Sequence, residues 1–321
     1  MMSEFVRKVS ASISDDSQKN MLAHLREFRS DDLEAILGEL DTIIDLDYAS
    51  SVDGMVDVGG GQKGRFSLHR DTALRLSMRI KHEIIREYRN VNAEKTLQIY
   101  EPLFNVLFPY VPKHSGCLPT FTTNYDPAIE EFYRQRDGQY ALCDGFNYDR
   151  AERQNFWSRS VFDKLQLETE KRNLALFKLH GSVDWVLVKS NQRIRRGQAM
   201  FDMMDADAYE NVLIYPATRK IATDDPFYTG YEYFERCCER AKVCVAIGYS
   251  FRDYDALTRL RGAASVNDSL NLVLLDPRAE EILKTVRIPD ERKMAFNSKF
   301  GDLPDQLNLL SEYLGKTVGK H

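Results

Sequence analysis

The sequence predicts an α/β protein: a Rossmann-like parallel sheet flanked by helices, with a helical N-terminal part. Three observations predict it. Up to about residue 115, apolar residues recur at helical spacing. Beyond His114, short apolar runs alternate with helical runs, the pattern of parallel strands joined by crossover helices. Each of those runs leads directly into polar residues or glycine, at the end where open parallel sheets bind ligands.

In chain order, SDDLEAILGELDTIIDL offers Ser30 as an N-cap and Leu33, Ile36, Leu37, Leu40, Ile43 and Ile44 at helical spacing, which predicts a helix over 31–46. VDGMVDVGGGQKGRF (52–66) comes next; its cluster Gly59–Gly64 reads as a flexible inter-helix loop. HRDTALRLSMRIKHEIIREY then places Leu76, Ile80, Ile84 and Tyr88 on one stripe. A further helical run ends at Pro109 and Pro112. The strand candidates are 119–123, 174–179, 211–215, 242–247 and 271–275. Helices are expected over 127–135, 157–170, 228–241, 253–264 and 278–286. The organisation expected is a mainly helical part over 1–115, a Rossmann-like core over 116–290 and a C-terminal helical tail over 291–321.

Hydrophobic residues make up 43% and charged residues 29% of the chain, enough for a globular core. A net charge of −5 argues against direct nucleic-acid binding as the main task. No stretch approaches the roughly 20 apolar residues that cross a bilayer, and the N-terminus lacks the apolar core of a signal peptide. A cytoplasmic protein without a membrane partner is expected. Cys117, Cys143, Cys237, Cys238 and Cys244 lack C-x-x-C spacing, so reduced thiols and no metal are expected.

The polar residues at the carboxyl end of each strand candidate define the candidate site. The first run ends in Thr122-Thr123-Asn124-Tyr125-Asp126, the second in His180-Gly181-Ser182 and the third in Pro216-Ala217-Thr218-Arg219. The fourth ends in Gly248-Tyr249-Ser250-Phe251 and the fifth in Asp276-Pro277. Each also has a plainer reading. His180 can be a loop histidine, Asn124 and Asp126 an Asx turn capping helix 127–135, and Ser250–Asp253 an N-cap. Asp276-Pro277 can be a simple helix start, and Arg219 and Lys220 surface charge.

TTNYD, KLHGSVDW, IYP, IGYSF-x-D and LLDP together resemble the sirtuin-like NAD-consuming fold, most closely its bacterial NAD hydrolases of anti-phage defence. The resemblance implies hydrolysis of NAD, as substrate, to nicotinamide and ADP-ribose. It implies Asn124 and His180 as the catalytic pair, with Asp126 holding the loop or the nicotinamide ribose. Cofactor contacts fall on Thr122, Thr123, Gly181, Gly248, Ser250 and Asp276, the last placed like the acid that binds an adenosine ribose. It also implies a homo-oligomer and a partner such as an ATPase-translocase or an Argonaute-like protein. A non-catalytic module binding NAD or ADP-ribose, or a scaffold, is the second expectation. A protein deacylase is the third, disfavoured because the four-cysteine zinc module of those relatives has no counterpart here. The sequence departs from the family's opening strand and Gly-Ala-Gly loop: no glycine precedes helix 31–46, which predicts weak binding of the pyrophosphate.

Overall fold

A computed structural model describes residues 2–29, 33–45, 52–59, 62–111, 116–165, 167–168, 170–197, 208–213, 224–299, 302 and 304–319. The chain divides into two compact units, Met1–Arg89 with Leu213–Lys220, and Asn90–Val212 with Ile221–His321.

The first unit contains α1 (Met2–Ser12), α2 (Asp16–Arg29), α3 (Leu33–Asp45), β1 (Val52–Gly59), β2 (Gln62–Leu68) and α4 (Arg70–Arg89). The apolar stripes do what their spacing predicts: Ile36, Leu37, Leu40 and Ile43 of α3 and Leu76, Ile80 and Ile84 of α4 are buried. Ser30, the expected N-cap, lies outside the described residues. The glycine cluster departs from expectation. β1 and β2 form an antiparallel hairpin, from Val52 opposite Leu68 to Gly59 opposite Gln62. Gly54, Asp53 and Asp57 dilute the period-two signal in the sequence, whereas the ladder is made by backbone groups whatever the side chains. Gly60 and Gly61 lie outside the described residues.

The second unit opens with α5 (Ala93–Leu107), whose first turn is capped by Asn92 Oδ1 accepting from the Lys95 N–H at 2.9 Å. Pro109 falls in the 3₁₀ turn Phe108–Tyr110 that ends it; Pro112 lies outside the described residues. Then come β3 (Leu118–Thr122), α6 (Ala128–Gln135), β4 (Tyr140–Cys143), β5 (Phe146–Asp149), β6 (Gln154–Trp157) and α7 (Ser160–Asp163). They are followed by β7 (Arg172–Lys178), β8 (Gly181–Val188), β9 (Arg193–Arg196), β10 (Tyr209–Leu213), α8 (Phe227–Arg240) and β11 (Val243–Ile247). The chain closes with α9 (Tyr254–Val266), β12 (Asn271–Leu275), α10 (Ala279–Thr285), β13 (Lys293–Phe296) and α11 (Pro304–Thr317).

Among the described residues the parallel strands form two three-stranded sheets, β3-β7-β4 and β11-β12-β13. The central strand of each is covered on both faces. Leu174 and Leu176 of β7 pack with Phe104, Ile129 and Phe132 from α5 and α6, while Ala175 and Phe177 pack with Phe162 and Tyr233. In β12, Leu272 and Leu274 face α9 and α10, while Val273 and Leu275 face α5 and α11. Burial on both faces is why these strands read as continuous apolar runs. The α/β expectation therefore holds, with helices flanking parallel strands.

Three expectations are corrected. The run 211–215 is not a parallel strand of this kind: β10 sits at the edge of the sheet β10-β8-β9-β6-β5, which is antiparallel at β5–β6, β6–β9 and β8–β9. Pro216–Lys220 lie outside the described residues. The helix expected over 157–170 shrinks to Ser160–Asp163, because Trp157 ends a strand paired with Phe146. Its indole closes so tightly on Gly145 that a Cβ there would sit 2.3 Å from Nε1, so aromatic packing overrides the helical spacing. Residues 291–321 contribute the strand β13, parallel to β12, as well as the helix α11.

Leu176 is 1% exposed at the centre of β7. Leu176→Ala is expected to destabilise the protein by about 2–5 kcal/mol through lost burial and a residual cavity. Urea denaturation checks this, and a loss below about 1 kcal/mol contradicts the two-faced packing of β7.

Candidate functional site

β3 and β7 are neighbours in register, from Leu118 opposite Leu174 to Thr122 opposite Lys178. The pairing runs on past the strand ends, with the Leu179 N–H donating to Thr122 O at 2.8 Å. The segments carrying Asn124 and His180 therefore leave the sheet side by side at the same end. They are tied again downstream: Val183 N–H and Ser182 Oγ both donate to Tyr125 O, at 3.0 and 3.2 Å. The rings of Tyr125 and His180 lie 6.4 Å apart. Thr122 Oγ1 accepts from the Asn124 N–H at 3.0 Å, turning the chain as it leaves β3. Asn124 is exposed and Thr123 half-buried. Asp126 Oδ1 accepts from the Ala128 N–H at 3.0 Å, an Asx turn just ahead of Pro127, where α6 starts.

Lys178 underpins this loop. Its side chain is 1% exposed, and its Nζ donates to Asp126 O at 2.6 Å, Glu130 Oε1 at 3.2 Å and Tyr125 O at 3.5 Å. Burial pushes the Glu130 carboxyl above its ordinary range, while the Lys178 charge pulls it down. Asp184 of β8 and Arg196 of β9 act on the same carboxyl in opposite senses. A buried ammonium needs such partners, and here two of them are backbone carbonyls of the NYD segment.

His180 is 5% exposed and sits between β7 and β8. Gly181, at φ +84°, follows it in a conformation that a Cβ disfavours. His180 Nε2 lies 2.9 Å from Asp253 Oδ2 and 3.2 Å from Tyr231 Oη, and the Tyr231 hydroxyl donates to the same Asp253 Oδ2 at 2.6 Å. Asp253 Oδ1 is occupied separately, accepting from the Asp255 and Ala256 N–H groups at the start of α9. Burial alone would raise the Asp253 carboxyl; its hydrogen bonds to His180 and Tyr231 outweigh this and hold it below the ordinary value of 3.8. Burial first, and the carboxylate second, push the Tyr231 hydroxyl far up. Tyr231 reaches His180 because α8 lies close to the end of β7: a Cβ on Gly230 would come within 3.0 Å of Leu179 Cδ2. Tyr231, Leu179 and Ala256 share one apolar cluster with Phe121 and Tyr249, which joins the ends of β3, β7 and β11.

The remaining predicted residues stand at the ends of β11 and β12, which are parallel neighbours. Gly248, exposed and at φ +60°, donates its N–H to Leu275 O at 2.8 Å. Ser250 is exposed. Asp276 Oδ1 accepts from the Arg278 N–H at 2.8 Å, as a helix start would have it. The structure thus brings Thr122, Asn124, Asp126, His180 and Gly181 together at one pair of strand ends. Gly248, Ser250 and Asp276 stand at another pair. Sequence reasoning missed Tyr231 altogether and gave Asp253 only its capping role. The sole signal for Asp253 was its place in IGYSF-x-D.

Parallel strands with polar loops at their carboxyl ends and a buried histidine–carboxylate pair define an α/β protein with a sheet-end site. The SIR2-like domain family matches residues 120–295, more than half of the 321, and the chain belongs to that family. Among solved structures, a triple mutant of a Sir2 homologue in complex with 2′-O-acetyl ADP ribose is similar at 13% identity and a TM-score of 0.42, over 76% of this chain and 77% of that one. No curated protein sequence matches. Among the described residues no helix is long and apolar enough to cross a membrane.

These contacts lead to two expected outcomes. Lys178→Met strands a buried carboxylate and two carbonyls, and is expected to cost about 3–5 kcal/mol in denaturant melts; a cost under about 1 kcal/mol contradicts the strap. Asp253 is held below 3.8 in the folded protein, so the unfolded chain binds its proton first as pH falls. Its contribution is therefore present above that value and lost as pH drops through the folded one. The stability gap between wild type and Asp253→Asn should be full near neutrality and close as the medium is acidified. A gap independent of pH contradicts the ionised carboxylate.

Proposed function

We propose that this SIR2-like protein is an NAD+ glycohydrolase that cleaves NAD to nicotinamide and ADP-ribose. One observation carries the reading: the Asn124 segment and His180 leave neighbouring parallel strands at the same end and are cross-tied through Tyr125 O. Breaking the bond from nicotinamide to ribose C1′ gives an oxocarbenium-like sugar and neutral nicotinamide. The exposed Asn124 amide orients water and stabilises the charge developing at C1′. His180 accepts the proton the water gives up as its oxygen bonds to C1′. Asp126 holds the loop, while Thr122, Thr123 and Gly181 line the nicotinamide ribose. Gly248 and Ser250 face the phosphates, and Asp276 the adenosine ribose, each by the resemblance of its motif. The same resemblance assigns the activity to anti-phage defence in a homo-oligomer, switched by assembly or by an ATPase-translocase or Argonaute-like partner.

A second reading is favoured by the burial of His180 and the occupation of its Nε2. On it the histidine is structural, and the protein is a module that binds NAD or ADP-ribose without cleaving it.

Incubation of the purified chain with NAD, alone and with any co-purifying protein, separates the two by the nicotinamide released. The hydrolase reading expects release, reduced about 10²–10⁴-fold in His180→Ala and about 10²–10³-fold in Asn124→Ala. Binding without release supports the second reading, and release unchanged in both variants contradicts the roles given to His180 and Asn124.

A further inference from the structure

The hydrogen bonds around His180 contain more information than its position. Tyr231 has one hydroxyl proton, and its Oη lies 2.6 Å from Asp253 Oδ2. An ionised carboxylate can only accept, so that proton points at Asp253. Tyr231 Oη then offers only lone pairs to His180 Nε2 at 3.2 Å, and Asp253 Oδ2 offers only lone pairs at 2.9 Å. Two acceptors face Nε2, and no donor does. Nε2 must carry the hydrogen, and a neutral imidazole has only one. Among the described residues His180 Nδ1 has no hydrogen-bond partner.

We infer that Asp253 and Tyr231 are positioning residues that fix His180 as its Nε2–H tautomer and leave the Nδ1 lone pair as the base. The carboxylate is itself fixed, since Oδ1 is held by two N–H groups at the start of α9. Its other oxygen is thereby left for the imidazole and the phenol. α8 completes the arrangement through the close approach at Gly230. The logic is that of a carboxylate that selects the tautomer of a catalytic histidine, with the two ring nitrogens exchanging roles. The tautomer is set by these contacts alone; the role of Nδ1 as base rests on the hydrolase reading above.

Nitrogen-15 NMR of the histidine rings, recorded above the pH at which their shifts stop changing, reads the tautomer directly. The His180 signals are those that vanish in His180→Ala. The inference expects a protonated Nε2 and an unprotonated Nδ1 in the wild-type chain, with no NAD present. Asp253→Asn can still cap α9, because Asn is as good an N-cap as Asp; its amide N–H2 then faces Nε2 as a donor and should shift the hydrogen to Nδ1. Tyr231→Phe should retain the Nε2–H form through Asp253. In nicotinamide release, Asp253→Asn should lower kcat by about 10²-fold or more while KM stays within about threefold. A hydrogen on Nδ1 in the wild type, or an unchanged single tautomer in Asp253→Asn, overturns the inference. An Nε2–H tautomer in a chain that cleaves no NAD upholds the assignment and removes the hydrolase reading alone.

Discussion

The Asp253 carboxylate is the constraint on which the site depends. A buried charge is tolerated only when each oxygen is satisfied. Here one oxygen is taken by the first turn of α9 and the other by His180 and Tyr231. A single side chain thus links the end of β7 to α8 and α9. Their mutual distances become a condition of folding and not only of function. Removal of Asp253 takes away the acceptor that His180 Nε2 and the Tyr231 hydroxyl share. The site residues are therefore expected to be coupled energetically as well as chemically.

The sheets provide the rest. β7 and β12 are covered on both faces, so their strand ends are fixed by packing along their whole length. Rigid ends allow short loops to hold side chains in place without a large entropy cost. Lys178 extends that rigidity into the NYD segment by reaching from the last residue of β7 to the carbonyls of Tyr125 and Asp126. Alternation along β7 points Lys178 away from the Phe177 face, toward α6 and Glu130. The same strand that delivers His180 therefore also supports its proposed partner loop.

The parts of the fold that were legible in the sequence share one property: their side chains carry the signal. β7 and β12 are apolar runs because both faces are buried, β3 and β11 lie half-buried beside them, and α6, α8, α9 and α10 show helical spacing. The hairpin β1–β2 and the strands β6 and β9 are held by backbone pairing in polar or glycine-rich sequence. QRIRRG gives no period-two apolar pattern, although Arg193 stacks on Phe156 at 3.7 Å once the strand is formed. The candidate site was half legible. TTNYD and LHGS announce themselves at strand ends. Tyr231 and Asp253 lie 51 and 73 positions from His180, and nothing in YTGYEYFERC or YSFRDYD states which histidine they will meet. Such contacts are decided by how α8 and α9 pack, which is a property of the assembled unit.

The central claim is that NAD is bound and cleaved at the ends of β3 and β7. A crystal structure of Asn124→Ala soaked with NAD tests it most directly, since that variant should retain the fold and turn over slowly. The account predicts nicotinamide-ribose density between residue 124 and the His180 ring, with Nδ1 as the nearer ring nitrogen. NAD bound away from these strand ends, or with its ribose facing the side of the ring held by Asp253, would contradict it.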